Sequence, residues 1–276
     1  MAVATEALPD LGSDYPLSPQ QVQDFQRDGH ICLRGVCTAE EIAVYSPLFA
    51  AAVAERSRAV KPMEERDTYG KAFLQIMNLW REDARLKQYV FARRFAKIAA
   101  ELLGVTGVRL YHDQALYKEP FGGHTPWHQD QHYWPLDTDN TVTMWMPLVD
   151  TTADMGVMDF ASGSHRLGYL GDMPISDESE AAWSRLIAEK GFTVVNHGDM
   201  RAGDATFHTG WTLHAALANH TAKMRDVMTI IYYADGTKVG AVDNANRKAD
   251  LDAWIPGGVP GEPAASPINP VLYSAS

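Results

Sequence analysis

The chain has 276 residues, of which 46% are hydrophobic and 21% charged, as in an ordinary globular protein of one domain. Its net charge of -11 argues against a nucleic-acid partner, because a phosphate backbone requires a basic surface. No apolar run approaches the roughly 18 residues that span a bilayer, so no membrane partner is expected. Two cysteines, Cys32 and Cys37, and no signal-peptide pattern predict a cytoplasmic protein without a disulfide framework. We expect a monomer or a homodimer.

The N-terminal part, residues 18–103, is predicted to be helical and to follow an extended arm over residues 1–17. Ser18 is a suitable N-cap for an amphipathic helix, and Thr38 opens a second helix with a capping box. Gly104 ends a third helical stretch that is divided into two pieces. The predicted helices cover residues 18–28, 38–58 and 82–103, and the stretch 59–80 is expected to be irregular.

The middle of the chain, residues 104–234, changes to short β-prone runs separated by turn residues. This pattern is typical of a jelly-roll or barrel, so the fold class is mainly β with helical additions. One helical insertion is expected at about 177–190. The residues from 235 to 276 are rich in Gly, Pro, Asp and Asn and are interpreted as a loop-rich tail. The predicted strands are 108–118, 142–149, 156–160, 193–197, 204–208, 212–217 and 226–234.

A His-x-Asp pair stands in the segment Trp127-His128-Gln129-Asp130. On an extended strand, residues two apart share a face, so His128 and Asp130 can point the same way. Two histidines and one carboxylate form the facial triad of non-haem Fe(II) oxygenases, which leaves coordination positions open. His214 is the candidate third ligand. It precedes a short turn near Asn219, so we expect it to face Arg225 across a hairpin of paired antiparallel strands.

These residues resemble the phytanoyl-CoA dioxygenase family of Fe(II)/2-oxoglutarate-dependent oxygenases. The His-Gln-Asp core and the spacing of eleven residues between His214 and Arg225 are the most specific features. Other matching segments are spread over most of the chain: Phe25 to His30, Tyr117 to Pro120, Trp127 to Pro135, Met144 to Leu148, Gly163 to Arg166, and Gly203-Asp204. The resemblance implies a double-stranded β-helix, a cupin-like jelly-roll core, within a single dioxygenase domain.

The resemblance also implies roles for individual residues. The iron ligands would be His128, Asp130 and His214, and Arg225 would bind the distal carboxylate of 2-oxoglutarate. A guanidinium suits that task because it can hold a carboxylate through two parallel hydrogen bonds. Because halogenating relatives replace the carboxylate ligand with a small residue, Asp130 favours oxygen transfer. Two further residues are expected beside the co-substrate, Lys118 and Trp145.

The implied activity is oxidation of an unactivated C–H bond in a small molecule, with Fe(II), 2-oxoglutarate and O2, and with release of succinate and CO2. Hydroxylation of a secondary metabolite is the leading hypothesis, and desaturation, epoxidation or rearrangement would use the same residues. Two other classes stay open. One is a metal enzyme of the same fold that does not use 2-oxoglutarate, and the other is a jelly-roll binding protein with a vestigial metal site.

Other histidines need a separate interpretation. His132 follows His128 by four residues, but the flanking prolines argue against a helix, so we expect it in the cavity wall or behind the ligands, with Trp134 beside it. His208 also ends a β-prone run and competes with His214 as the third ligand. We favour His214 because of its expected pairing with Arg225. The remaining candidates are expected to be structural or on the surface: His112, His197 and His220.

Two long irregular segments, 60–80 and 235–246, are expected to cover the substrate cavity as a mobile lid. The alternative is that these loops simply pack against the helices. Loops at the mouth of a rigid barrel commonly carry specificity, and long loops in a compact domain are often functional. In the first segment the expected substrate contacts are Tyr69, Gln75 and Met77. Their mixture of apolar surface and polar groups favours a medium-sized, partly apolar substrate.

Overall fold

The structure is a computed structural model that describes residues 8–275. The helices are α1 Pro19–Asp28, α2 Ala39–Arg56, α3 Thr68–Ala72, α4 Ala84–Val90, α5 Arg93–Leu103, α6 Asp177–Lys190 and α7 Ala245–Trp254. The strands are β1 His30–Leu33, β2 Leu74–Met77, β3 Gly107–Tyr117, β4 Thr125–His128, β5 Thr141–Pro147, β6 Met158–Ala161, β7 Val194–Asn196, β8 Ala205–Thr209, β9 His214–Ala216, β10 Val227–Ala234 and β11 Val271–Ser274. No helix in this range has the length and apolar character that crossing a bilayer requires.

The strands form two antiparallel sheets. The large sheet has seven strands in the order β1-β8-β5-β10-β3-β11, with β2 also paired to β3. The small sheet has four strands in the order β4-β9-β6-β7. Between β3 and β10 the chain passes back and forth between the two sheets, with β6 and β7 as the one consecutive pair in the same sheet. This arrangement is the double-stranded β-helix predicted from the sequence, so the predicted fold class is confirmed.

The N-terminal helices form where the sequence places their caps. The side chains of Ser18 and Thr38 each accept a hydrogen bond from the backbone N–H three residues on. In both cases the Gln or Glu side chain at that third position accepts a hydrogen bond from the backbone N–H of the cap residue. Gly104, at φ 69°, ends α5 in the left-handed region that glycine adopts without strain. The two-piece helix predicted over 82–103 corresponds to α4 and α5.

These helices cover the outer face of the large sheet. Phe25, Phe49, Tyr89 and Phe95 pack with strand residues in one hydrophobic cluster that excludes water from that face. Side chains alternate along each strand, so the neighbouring residues point to the other face and into the space between the sheets. On β5, for example, Met144 belongs to the outer cluster whereas Thr143 and Trp145 line the central cavity.

The predicted hairpin between His214 and Arg225 is wrong. β9, which begins at His214, lies in the small sheet between β4 and β6, whereas β10 lies in the large sheet between β5 and β3. Residues 217–226 carry the chain from one sheet to the other. Asn219 holds this crossover by donating to the carbonyls of Glu119 and Lys223, at 3.0 and 2.7 Å. β9 and β10 are therefore consecutive in sequence but are not hydrogen-bonded to each other.

Two segments have more regular structure than their composition predicts. The stretch 59–80 contains the short helix α3 and strand β2, and β2 is ordered because it pairs with β3. The tail from 235 contains α7 and β11, the latter paired with β3. The expected irregular stretch and the expected loop-rich tail are both corrected in this respect. Of the predicted arm, residues 8–17 contain no helix or strand, and residues 1–7 lie outside the described range.

Candidate active site

A cavity of about 440 Å³ opens between the two sheets. Strands of both sheets supply its inner end, and helices α3 and α7 with strand β2 supply its outer walls. Its volume falls within the range of about 300–1,000 Å³ that is usual for small-molecule sites. The lining residues that matter for the site are Asp67, Tyr69, Gln75, Met77, His112, Gln114, His128, Asp130, Tyr133, Trp134, Thr143, Trp145, His208, His214, Arg225, Asn246, Asp250 and Trp254.

The three proposed iron ligands meet at the inner end. His128 on β4 pairs directly with His214 on β9, and their ring centroids are 4.1 Å apart. Asp130 follows β4 in a short 3-10 turn, and its Oδ1 lies 3.6 Å from the Nε2 atoms of both histidines. One ligand atom from each residue lies within 4.8 Å of the others, so a single metal ion can contact all three.

Backbone carbonyls fix the orientation of both imidazoles. Nδ1 of His128 lies 2.7 Å from the carbonyl oxygen of Pro126, and Nδ1 of His214 lies 2.9 Å from that of Thr212. A carbonyl can only accept, so each Nδ1 carries the proton and each Nε2 keeps its lone pair for a metal. Burial lowers the pKa of His214 well below its usual range, which keeps this imidazole neutral.

The carboxylate of Asp130 is held by its second oxygen. Thr143 donates to Oδ2 at 2.9 Å, and His208 Nε2 lies 3.2 Å from the same atom. Burial opposes ionisation, but the adjacent imidazoles of His214, His128 and His208 hold the pKa of Asp130 well below its usual range. The carboxylate is therefore anionic, with Oδ1 directed between the two imidazoles.

His208 has a different position from the one that a third ligand needs. It is buried on β8, and its ring centroid lies 4.3 Å from that of His214, but its Nε2 contacts the oxygen of Asp130 that faces away from the other two histidines' Nε2 atoms. This geometry makes His208 a positioning residue for Asp130. It supports the choice of His214 as the third ligand, although the expected pairing with Arg225 is not the reason.

Arg225 lies just before β10, and it is fully buried beside the cavity. Its guanidinium donates to the carbonyl of Gly156 and stacks 5.2 Å from the ring centre of Trp145, while its Nε has no partner. Within residues 8–275 no carboxylate forms an ion pair with it. Burial lowers the pKa of Arg225 to about 9. A buried cation without an anion is costly, so this site suits a ligand carboxylate.

Lys118 and Trp145 differ in their relation to the cavity. Trp145 lines it next to Arg225, as expected. Lys118 is fully buried and is absent from the cavity lining, and its Nζ donates to the carbonyl of Gly123. Burial, followed by the nearby charge of Arg225, lowers the pKa of Lys118 to about 6. In this position Lys118 supports the strand segment that pairs with the backbone of Arg225, at 3.0 and 2.9 Å.

Most of the expected substrate contacts lie in the cavity wall. Tyr69, Gln75, Met77 and Trp134 all line it. The Tyr69 hydroxyl donates to Gln75 at 3.3 Å, and Gln75 in turn donates to Gln114 on β3 at 2.8 Å. His132 is the exception. It is buried behind the wall, where its Nε2 lies 3.3 Å from Asp172 and 3.4 Å from the amide of Asn246.

The sequence analysis missed a second group of wall residues. His112, expected to be structural or on the surface, lines the cavity and contacts the ring of Trp254 with a centroid distance of 4.9 Å. Asn246, Asp250 and Trp254 come from α7 in the tail. A signal for this helix was present, because the side chain of Asn244 caps it by accepting from Arg247 N–H at 2.9 Å.

The fold and the donor set define the class of the protein. Two neutral imidazole nitrogens and one carboxylate on a jelly-roll, with open space beside them, are the ligands of a non-haem Fe(II) oxygenase. A family model independently matches residues 25–227, and its description is Phytanoyl-CoA dioxygenase (PhyH). The chain belongs to the phytanoyl-CoA dioxygenase family. Helix α7 lies beyond the matched residues.

Known proteins resemble the chain at moderate identity. An ectoine dioxygenase of Sphingopyxis alaskensis is 24% identical over 169 residues, which cover 59% of this chain and 55% of that protein. A "Probable alpha-ketoglutarate-dependent hypophosphite dioxygenase" of Stutzerimonas stutzeri is 24% identical over 226 residues and 78% of each chain. The chain thus spans about half of the first relative and most of the second.

The third similar protein is a solved structure of the epimerase SnoN in complex with Fe3+, alpha ketoglutarate and nogalamycin RO. It is 26% identical, covers 92% of this chain and 97% of that one, and has a TM-score of 0.74. The family, the enzyme class of 2-oxoglutarate-dependent non-haem iron dioxygenases, and iron with 2-oxoglutarate as cofactor and co-substrate are confirmed. The residue roles remain predictions that the geometry supports.

Proposed function

We propose that this enzyme hydroxylates an unactivated C–H bond of a small molecule, in a reaction that converts 2-oxoglutarate and O2 to succinate and CO2. One observation carries the proposal. The His128, Asp130 and His214 cluster and the unpaired guanidinium of Arg225 line the same buried end of one cavity. A metal at the cluster and a carboxylate at Arg225 are the two attachment points that a 2-oxo dicarboxylate requires.

When bound, iron supplies the activation of dioxygen and of the C–H bond. The chain supplies the rest. His128 and His214 offer Nε2 lone pairs because their Nδ1 protons are committed to backbone carbonyls. Asp130 supplies the negative charge, with Thr143 holding its other oxygen. Arg225 orients the co-substrate by its distal carboxylate, and the ring of Trp145 covers the guanidinium and helps to exclude water.

The outer part of the cavity is where a substrate carbon can approach the metal. Its walls combine aromatic rings with a few polar groups, a composition typical of sites that bind and orient small molecules. A secondary metabolite is our leading class of substrate. The support is the resemblance over 92% of the chain to an epimerase solved with nogalamycin RO, which also shows a different reaction outcome in a relative.

The test is succinate formation from 2-oxoglutarate by the Fe(II)-loaded enzyme, measured with and without each member of a metabolite panel. A true substrate should raise succinate formation above the uncoupled background and should itself be changed. Mass spectrometry of the product separates the outcomes: hydroxylation adds one oxygen atom, epimerisation leaves the mass unchanged, and desaturation or ring closure removes two hydrogens. No 2-oxoglutarate consumption under any condition would contradict the proposal.

A further inference from the structure

The outer end of the cavity carries a carboxylate that the proposed chemistry does not use. Asp250 on α7 lines the cavity, and its Oδ2 accepts a hydrogen bond from the Tyr111 hydroxyl at 2.9 Å. Trp254 on the same helix also lies within hydrogen-bonding reach of this carboxylate, whose two oxygens have further lone pairs that can accept from a ligand. No Lys or Arg side chain in the described range forms an ion pair with it.

The charges of the cavity show why this carboxylate matters. At the inner end the charges of the loaded site cancel: Fe(II) and the Arg225 guanidinium are positive, and Asp130 and doubly charged 2-oxoglutarate are negative by the same amount. Asp250 and Asp67 are the other ionisable acids in the wall, and no further Lys or Arg lines it. His112 beside them is neutral, because burial lowers its pKa to about 3. Burial raises the pKa of Asp250 to about 7, so the outer end of the loaded enzyme is anionic above that pH, and a bound ammonium group would favour the ionised carboxylate.

Aromatic rings surround the same end. Trp254 lies one helical turn after Asp250, and Tyr133 and Trp134 belong to the same cavity lining. Aromatic faces attract cations, and the attraction grows when water is excluded. A carboxylate within aromatic walls is an arrangement that selects a protonated amine over a neutral or anionic group of the same shape.

We propose that Asp250 is a specificity residue that binds a protonated amine of the substrate, so that the substrate class is small amines. This inference rests on the proposed function, because it assigns the outer part of the same active site. The ammonium group would donate to Oδ1 of Asp250 while the body of the molecule extends along the aromatic wall toward the metal ligands. Helix α7 lies outside the family match, so it can set the substrate class of this chain without changing the inner chemistry.

The competing explanation is that Asp250 only anchors α7 to β3 through Tyr111. Two variants separate the explanations. Asp250→Asn removes the charge but keeps an oxygen that can accept from the Tyr111 hydroxyl. Tyr111→Phe removes the anchoring hydrogen bond but keeps the carboxylate. A purely structural role predicts that Tyr111→Phe lowers the melting temperature and that neither variant changes ligand selection, whereas a specificity role predicts that Asp250→Asn alone changes ligand selection.

The experiment uses three probes with one carbon skeleton: benzylamine, benzyl alcohol and benzoate. Each is titrated by calorimetry into the enzyme loaded anaerobically with Fe(II) and 2-oxoglutarate. Benzylamine should bind at least about tenfold more tightly than benzyl alcohol, because a charge-assisted hydrogen bond replaces a neutral one. Asp250→Asn should remove this preference, and Tyr111→Phe should keep it.

Binding of 2-oxoglutarate is measured in the same samples. It should be the same in the wild type and in both variants within about twofold, since Arg225 and the metal ligands are unchanged. Normal 2-oxoglutarate binding with no preference for the amine, or with a preference that survives in Asp250→Asn, overturns the assignment of Asp250 alone. Failure of the wild type to bind 2-oxoglutarate overturns the proposed function instead.

Discussion

The two ends of the cavity are built in different ways. At the inner end, His128, Asp130, His214 and Arg225 stand on or next to strands of both sheets, and hydrogen bonds or stacking hold each side chain. At the outer end, the wall comes largely from β2 and the short helices α3 and α7. A rigid frame suits chemistry that requires fixed ligand positions, whereas added elements can vary with the substrate. We therefore expect the inner end to determine the reaction class and the outer end to determine the substrate.

The largest effect is expected for the inner end. Asp130→Ala removes the single anionic ligand of the cluster, so the enzyme should lose iron and form no succinate above background. Iron content and succinate are measured together. Asp159→Ala is the matched control, because Asp159 lies on β6 and contacts Asn196 at the surface. Full turnover by Asp130→Ala would place the metal elsewhere.

A second change tests the anion site of the inner end. Arg225→Ala should raise the apparent Michaelis constant for 2-oxoglutarate at least about tenfold, since a hydrogen bond to a charged group is worth roughly 1.5–3 kcal/mol. Arg225→Lys should be intermediate, because it keeps the charge and loses the paired donors. Arg34→Ala, which breaks a half-buried ion pair with Asp204 outside the cavity lining, is the control and should leave the constant unchanged. An unchanged constant in a folded Arg225→Ala protein would make Arg225 structural.

A smaller change tests the outer end. Trp254→Leu keeps an apolar side chain but removes the aromatic face in the wall. We expect about fivefold weaker binding of benzylamine, which corresponds to the usual strength of an exposed cation–π contact, and no change in 2-oxoglutarate binding. Trp80→Leu, outside the cavity lining, is the matched control. If Trp254→Leu weakened the binding of 2-oxoglutarate instead, the two ends of the cavity would not bind their ligands independently.

The smallest effect is expected on stability, at a buried residue outside the cavity lining. Asp113 on β3 is fully buried, and burial raises its pKa to about 7. A raised folded-state pKa means that its contribution to stability is fully present below pH 4 or so and is lost as the pH rises through about 7. Asp113→Asn should therefore raise the melting temperature of the metal-free protein more at pH 8 than at pH 5. An equal shift at both pH values would contradict the assignment.

The inner end was largely predictable from the sequence, whereas the outer end was not. His128 and Asp130 could be predicted as metal ligands because a His-x-Asp pair is a local motif, and His214 could be predicted from the family pattern. The wrong hairpin shows the limit of that reasoning: β9 and β10 are consecutive, but a jelly-roll places consecutive strands in opposite sheets. β4 was missed because it is only four residues long and contains Pro126.

The outer wall was missed for a different reason. The tail was judged by its content of Gly, Pro, Asp and Asn, and this average hid the cap at Asn244 and the apolar spacing of Leu251 and Trp254 on α7 and of Ile255 at its end. The position of α7 over the cavity depends on contacts such as the one between Asp250 and Tyr111, which are 139 residues apart in sequence. Contacts of that range cannot be read from local patterns.

The most direct test of the two-ended site is an anaerobic crystal structure of the protein with Fe(II) and 2-oxoglutarate, in which anomalous scattering locates the metal. We expect one metal ion bound by Nε2 of His128, Oδ1 of Asp130 and Nε2 of His214, with the distal carboxylate of 2-oxoglutarate on the Arg225 guanidinium. A metal ion coordinated by His208 in place of His214, or a distal carboxylate bound away from Arg225, would contradict it.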